Sequence, residues 1–183
     1  SFVVQPAKTI IKKGEILVDG KPRKDSAYPV GLFDVISLPT SSQFYRVVPS
    51  ASGFTVISIS SDEANVKICK VVNKTLVKKN KLQLNLNDGK NILVDDGKYN
   101  TGDSILIEVP SLKINGHLKL AKGSLGIILK GKNSGKSAEV AEILLGKFRQ
   151  PSRIICKIEG KDAEVLKDNF IVVGKEKPLV TVS

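Results

Sequence analysis

Residues 81–94 read KLQLNLNDGKNILV, and this stretch decides the fold class. Leu82, Leu84 and Leu86 alternate with Lys81, Gln83 and Asn85, so an extended chain places the leucines on one face. Asn87-Asp88-Gly89 then supplies residues that accept tight-turn backbone, and Asn91–Val94 resumes the apolar run. The stretch predicts a β-hairpin.

The same style extends in both directions. Upstream, residues 30–38 (VGLFDVISL), 44–48 and 54–60 (FTVISIS) are rich in β-branched and aromatic residues and are predicted as strands. Downstream, 103–109 (DSILIEV), 112–120, 125–129, 139–145, 153–158, 163–165 and 170–173 continue the pattern, with a turn at Glu159-Gly160. Strand signals about every 8–12 residues point to small barrels or sandwiches. One helical signal precedes these strands and another interrupts them. Residues 7–13 (AKTIIKK) predict the last turns of a short helix capped by Gly14, with Lys12 and Lys13 against its negative end. A strand at 15–18 and an Asp19-Gly20 turn follow. Ser60 precedes Glu63 at capping-box spacing, which predicts a second short helix over 62–69. Residues 174–183 read as an extension.

The 183 residues include 29 Lys or Arg and 18 Asp or Glu, a formal net charge of +11. Hydrophobic residues at 41% and charged ones at 26% exclude a disordered polycation. No stretch approaches the ~20 apolar residues of a spanning helix, and no secretory signal opens the chain. Two cysteines, Cys69 and Cys156, fit a reducing compartment and small buried roles rather than a disulfide scaffold. Met is absent even at position 1, so Ser1 is expected not to be the translation start.

The charge is unevenly placed. Between Lys8 and Lys24 six basic residues face Glu15 and Asp19, and between Lys122 and Arg149 six face Glu139 and Glu142. Residues 31–60 hold one of each sign, Arg46 and Asp34. Two basic segments suggest two contact surfaces for a polyanion, since each neutralised phosphate releases a condensed counterion. A basic coat serving solubility alone does not require such one-sidedness.

Catalytic templates do not fit. Gly131-Lys132-Asn133-Ser134-Gly135-Lys136-Ser137 imitates a phosphate-binding loop, but three residues separate its glycines where four are needed, and Lys130 stands where the first glycine should be. It reads instead as a glycine-rich β-turn carrying Lys130, Lys132 and Lys136. His117 is the sole histidine and has no Cys nearby, so neither a metal site nor a general base is expected there. Asp95-Asp96 leads into Gly97 as a turn. No G-x-S-x-G elbow occurs. No enzyme activity, cofactor or metal is expected. Six Phe, three Tyr and no Trp offer few stacking platforms, and Tyr28, Tyr45 and Tyr99 are expected to pack at core edges. Folded RNA grasped through its backbone is therefore a better partner than a serially stacked single strand.

Residues 17–38, LVDGKPRKDSAYPVGLFDVISL, resemble the small-subunit ribosomal protein four family of archaea and eukaryotes, the e-type protein. The D-G-K-x-R-x-D run and Y-P-x-G-x-x-D-V-I-S carry the likeness. It continues through 62–71 (DEANVKICKV), Thr101-Gly102-Asp103, 122–143 and 169–175 (NFIVVGK). The resemblance implies a mainly β, modular RNA binder. Residues 1–27 would be the C-terminal part of an S-four-type α/β RNA-binding module, 28–118 a β-rich central domain, 119–175 an SH3-like KOW barrel, and 176–183 an extension. Gly123, Gly131 and Gly135 match the KOW glycines. Ala138 stands where that pattern has another glycine, which questions the local turn because Ala accepts positive φ poorly.

The implied partners are small-subunit rRNA and neighbouring ribosomal proteins, with no membrane, in cytoplasmic ribosomes. Lys12, Lys13, Lys21, Arg23 and Lys24 are the candidate residues of one RNA-binding surface. Lys130, Lys132, Asn133, Lys136, Arg149 and Arg153 are those of the second. Two other classes stay open: an RNA-modifying or nucleotide-using enzyme docking through the same modules, and a protein-binding factor acting through the barrel.

Overall fold

The computed structural model describes residues 15–182. The predicted helix at 7–13, its Gly14 cap, and Lys12 and Lys13 lie outside the described residues. Three five-stranded antiparallel sheets follow one another along the chain. The first comprises β1 (Leu17–Val18), β2 (Lys21–Pro22), β3 (Val35–Leu38), β4 (Gln43–Ser50) and β5 (Gly53–Ser58), in the order β2-β1-β3-β4-β5. The second comprises β6 (Val66–Val77), β7 (Lys81–Leu86), β8 (Asn91–Val94), β9 (Ser104–Glu108) and β10 (Ile114–Leu118), in the order β10-β9-β6-β7-β8. The third comprises β11 (Leu125–Ile128), β12 (Ser137–Leu144), β13 (Arg153–Ile158), β14 (Lys161–Leu166) and β15 (Phe170–Gly174), in the order β14-β13-β12-β11-β15.

The hairpin that opened the reading is β7 and β8. Leu82 pairs with Val94 and Leu84 with Ile92, so their side chains share one face, and Leu84 and Leu86 are buried there. A one-residue slip would turn every one of these leucines to water. The third sheet curls through bulges at Val140/Glu142 and Leu125/Gly126, and a 3-10 turn (Lys167–Asn169) precedes its last strand. That is the arrangement of an SH3-like barrel. Ala138 sits in β12 and not among the positive-φ residues, so the missing glycine strains nothing.

The helix predicted over 62–69 does not form. Its capping contact exists: the Glu63 N–H donates to Ser60 Oγ at 3.4 Å, and the Ala64 N–H donates to the Ser60 carbonyl. Only one 3-10 turn follows, Glu63–Asn65, and the chain then extends as β6 for 12 residues. β6 is the central strand of its sheet. It pairs with β9 over Val66–Lys70 and with β7 over Val71–Val77. Long-range pairing and the β-branched Val66, Ile68, Val71 and Val72 override a good local start signal. Residues 67–71 are buried on both faces, so no two-residue alternation marks the strand. Cys69 accordingly lies inside a central strand and not at a helix end.

One apolar core joins all three sheets. Phe33 and Val48 from the first and Ile68 and Leu118 from the second pack with Ile127, Ile154, Phe170 and Ile171 of the barrel. A second cluster, including Cys69, Leu84, Ile105 and Tyr99, fills the other side of the middle sheet. Each fully buried isoleucine contributes about 2 kcal/mol by burial of its side chain. The segment after the barrel also joins the core: Val180 and Val182 are buried, and the Leu179 N–H donates to the Val173 carbonyl at 2.8 Å. Arg46, fully buried on β4, fixes this segment. Its guanidinium donates to Glu63 Oε2 at 3.0 Å, the Thr181 carbonyl at 2.8 Å, the Glu63 carbonyl at 3.1 Å and the Val66 carbonyl at 3.2 Å.

Candidate nucleic-acid interface

The first basic turn joins β1 to β2. Asp19 and Gly20 have φ of 50° and 75°, the left-handed conformation that a tight hairpin needs. Asp19 turns inward: its Oδ1 accepts the Val35 N–H at 3.0 Å, and its Oδ2 accepts Lys67 Nζ at 2.8 Å. The turn's carboxylate is therefore occupied inside the protein, while Lys21 and Lys24 stay exposed. The Arg23 guanidinium lies 4.3 Å from the Tyr28 ring centroid, a cation–π contact that stiffens it. Tyr28 thus supports a cation instead of packing at a core edge.

The second basic turn joins β11 to β12. The Ser134 N–H donates to the Gly131 carbonyl, Gly135 N–H to the Ile128 carbonyl, and Lys136 N–H to the Asn133 carbonyl, at 3.0, 2.8 and 3.1 Å. A phosphate-cradling loop must aim those donors at its ligand and open a helix. Here the loop's own carbonyls take them, and a strand follows. Gly135 has φ of 83°, and a Cβ there would stand 2.7 Å from the Pro49 carbonyl oxygen, so the turn is seated against the β4–β5 hairpin. Lys130, Lys132 and Lys136 remain exposed, with Asn133 half-buried between them. They border two shallow grooves. Lys130 and Lys132 face Glu164 and Asn169 across one, and Lys132 and Lys136 face Glu159 and Lys161 across the other.

The remaining sequence candidates are placed differently. Arg153 is paired with Glu164 at 2.5 Å, across neighbouring strands, and reaches the turn only through that groove-lining carboxylate. Lys136 lies 4.0 Å from Glu159, an exposed pair of little energetic weight. Arg149 is exposed in the loop after β12, at the opposite end of that strand from the basic turn.

The sequence reading missed the cations that point inward. Lys67, 1% exposed, bonds Asp19 at 2.8 Å, Asp88 at 3.0 Å and Asp34 at closer range still, and Lys90 reaches Asp19 at 3.1 Å and Asp88 at 3.3 Å. Asp19 and Asp34 come from the first sheet's turns, and Lys67, Asp88 and Lys90 from the second sheet, so the cluster rivets the two together. Burial works against the Asp19 and Asp88 carboxylates, but Lys67 outweighs it and holds both below the usual carboxylate range. Asp34 is pushed up, by burial first and then by the neighbouring Asp19, because three carboxylates share two ammonium groups. Burial would depress Lys67, yet Asp19 and Asp34 hold it well above the ordinary lysine range. The available signal was a lysine at every third position of an apolar run, VKICKVV, where a solvated face is impossible.

Groups suited to catalysis are tied up. His117 Nε2 and Asp103 Oδ2 are 2.7 Å apart, and the ring tilts over Tyr99 at 4.7 Å. Burial pushes the thiols of Cys69 and Cys156 up, away from the reactive thiolate. Among the described residues no cluster of three or more His, Cys, Asp or Glu has metal-binding geometry, and no helix is long and apolar enough to cross a membrane.

Small curled antiparallel sheets that project basic turns define the class, a mainly β protein. Comparison with known proteins gives this class a family. The model of ribosomal family S4e matches residues 41–114, and that of the S4 domain matches residues 6–36. The small ribosomal subunit protein eS4 of Methanothermobacter thermautotrophicus is 36% identical over 178 residues, covering 96% of this chain and 73% of that protein. Its counterpart from Saccharolobus islandicus is 41% identical over 181 residues, covering 95% and 76%. The crystal structure of ribosomal protein S4e from Thermoplasma acidophilum superposes with a TM-score of 0.83 at 24% identity, covering 94% of this chain and 86% of that one, a likeness of fold. The chain belongs to ribosomal family S4e.

Proposed function

We propose that this protein is a structural constituent of the small ribosomal subunit that holds rRNA through its basic turns and carries out no catalysis, in cytoplasmic ribosomes beside other ribosomal proteins. The relatives' names support the ribosomal role, and the S4 domain match supports the RNA partner. The observation that carries the reading is the β11–β12 turn. Its backbone is closed on itself while Lys130, Lys132 and Lys136 project from it, which suits phosphate contacts along a duplex and not a nucleotide pocket. Lys21, Arg23 and Lys24 form the other contact, with Lys12 and Lys13 extending it along the chain. Asn133, Arg149 and Arg153 complete the proposed set. The division into modules at 1–27, 28–118, 119–175 and 176–183 belongs to the same proposal.

Reversing both charges, Lys132→Glu with Lys136→Glu, should weaken binding to small-subunit rRNA about tenfold or more while the melting temperature holds, because both side chains are exposed. A fall in melting temperature with unchanged affinity would make them structural. Saturable ATP binding abolished by Lys136→Ala would favour the nucleotide-using alternative. Leu145 and Phe148, 76% and 95% exposed in the loop after β12, favour a protein neighbour at that point of the surface.

A further inference from the structure

A cleft of about 550 Å³ separates the middle sheet from the barrel. Lys70, Thr101 and Gly102 line one wall, and Ser152, Lys167 and Asp168 the other. Lys70 lies on β6 and is 4% exposed. Its ammonium donates to the Lys167 carbonyl oxygen at 2.5 Å, and no carboxylate among the described residues lies within ion-pair distance. An ammonium carries three donors, so two find no acceptor among the described residues. The contrast with Lys67, three residues earlier on the same strand and as deeply buried, is direct: three carboxylates bond that cation, whereas among the described residues none bonds Lys70 and Asp168 acts on it only from a distance. Burying a charge without a close counter-charge is unfavourable.

The opposite wall adds a second cation. Gly102 has φ of 95°, and a Cβ there would stand 2.5 Å from the Lys167 side chain, so the glycine leaves the lane along which that lysine crosses the cleft. Two lysines thus converge against the single carboxylate of Asp168.

We propose that this cleft is a third RNA contact, in which a backbone phosphate sits between Lys70 and Lys167 and supplies the close counter-charge that Lys70 lacks among the described residues. The proposal rests on the rRNA-binding reading and adds to it a site that lies outside both basic turns. Burial, followed by repulsion from Lys167 against attraction from Asp168, brings the free Lys70 ammonium down to about 8. Lys167 and Asp168 are the charged groups that act on it across the cleft. A bound phosphate would hold the proton, so binding takes up protons above that pH.

The test is Lys70→Met, which keeps length and removes charge, with whole small-subunit rRNA as the probe. Melting temperature should stay or rise, affinity should fall about tenfold, and the slope of log affinity against log salt should shrink by about one. Between pH 7 and 9 the wild-type affinity should decline more steeply than that of the variant. Lys167→Met, on the more exposed wall, should lose a similar slope and keeps the test open if Lys70→Met folds poorly. Unchanged affinity and slope in both variants would overturn the proposal, as would a melting temperature collapse in Lys70→Met with wild-type binding by Lys167→Met. Failure of the wild type to bind the rRNA would instead remove the reading on which the proposal stands.

Discussion

Replacing Lys67 with methionine is expected to destabilise the protein by about 3–5 kcal/mol at neutral pH, the usual effect of removing one partner from a buried ion cluster. The variant leaves Asp19, Asp34 and Asp88 facing one another with Lys90 as the one cation still paired with them among the described residues, at the seam between the first two sheets. The pH dependence should change sign with it. In the wild type, Asp19 and Asp88 titrate below their ordinary value, so their stabilisation is present above about pH 4 and is lost as pH falls through their folded values. Asp34, pushed up, works the other way and tempers that loss. The Lys67 contribution disappears only under strongly alkaline conditions. Without Lys67 the three carboxylates should all titrate above their unfolded values, and the variant should gain stability as the solution is acidified toward pH 5. Urea unfolding followed from pH 4 to 8 measures both effects. A loss below about 1 kcal/mol, with the wild-type acid dependence retained, would mean that the cluster is worth no more than an exposed pair.

Arg46→Met should have an effect of similar size, about 3–5 kcal/mol, for a different reason. It takes the buried guanidinium away from the Glu63 carboxylate and from three carbonyls, and it removes the group that ties Thr181 to the 3-10 turn and to β6. Thr181 keeps its own bonds to Glu63, N–H to Oε2 at 3.0 Å and Oγ1 to Oε1 at 2.8 Å. Thr181→Ala should therefore cost only about 1 kcal/mol, the worth of one ordinary hydrogen bond. Amide exchange separates the two. In Arg46→Met, protection of the Leu179 and Thr181 amides should fall further than protection in β12, because this segment leaves before the barrel opens. Equal loss of protection in both places would show that the segment is not held separately.

What could be read from the sequence follows from how each element meets water. β7, β8 and β13 have the bounds that the sequence predicts, since one face of each is at least partly wet and a turn delimits it. β6 was lost because it is a two-faced central strand whose first turn carries a genuine capping signal. The basic turns were legible because an exposed lysine run beside glycine has few other uses. The inward cations were not, because a count of charges cannot distinguish a lysine in solvent from one ringed by carboxylates contributed by residues 19, 34 and 88. For the same reason a charge count does not show which charges are internal: among the described residues Arg46, Lys67 and Lys70 are buried, but so are Asp19, Asp34 and Asp103, so burial takes no net charge out of the formal surplus of +11.

In the proposed function, cations on fixed β-turns hold folded rRNA by its phosphates. Affinity for small-subunit rRNA measured across a salt series tests it most directly. Six cations on the two described turns, Lys21, Arg23, Lys24, Lys130, Lys132 and Lys136, predict a log–log slope at least as steep as about −4, which the other proposed cations steepen further. An affinity that does not change with salt, or no affinity at low salt, would contradict it.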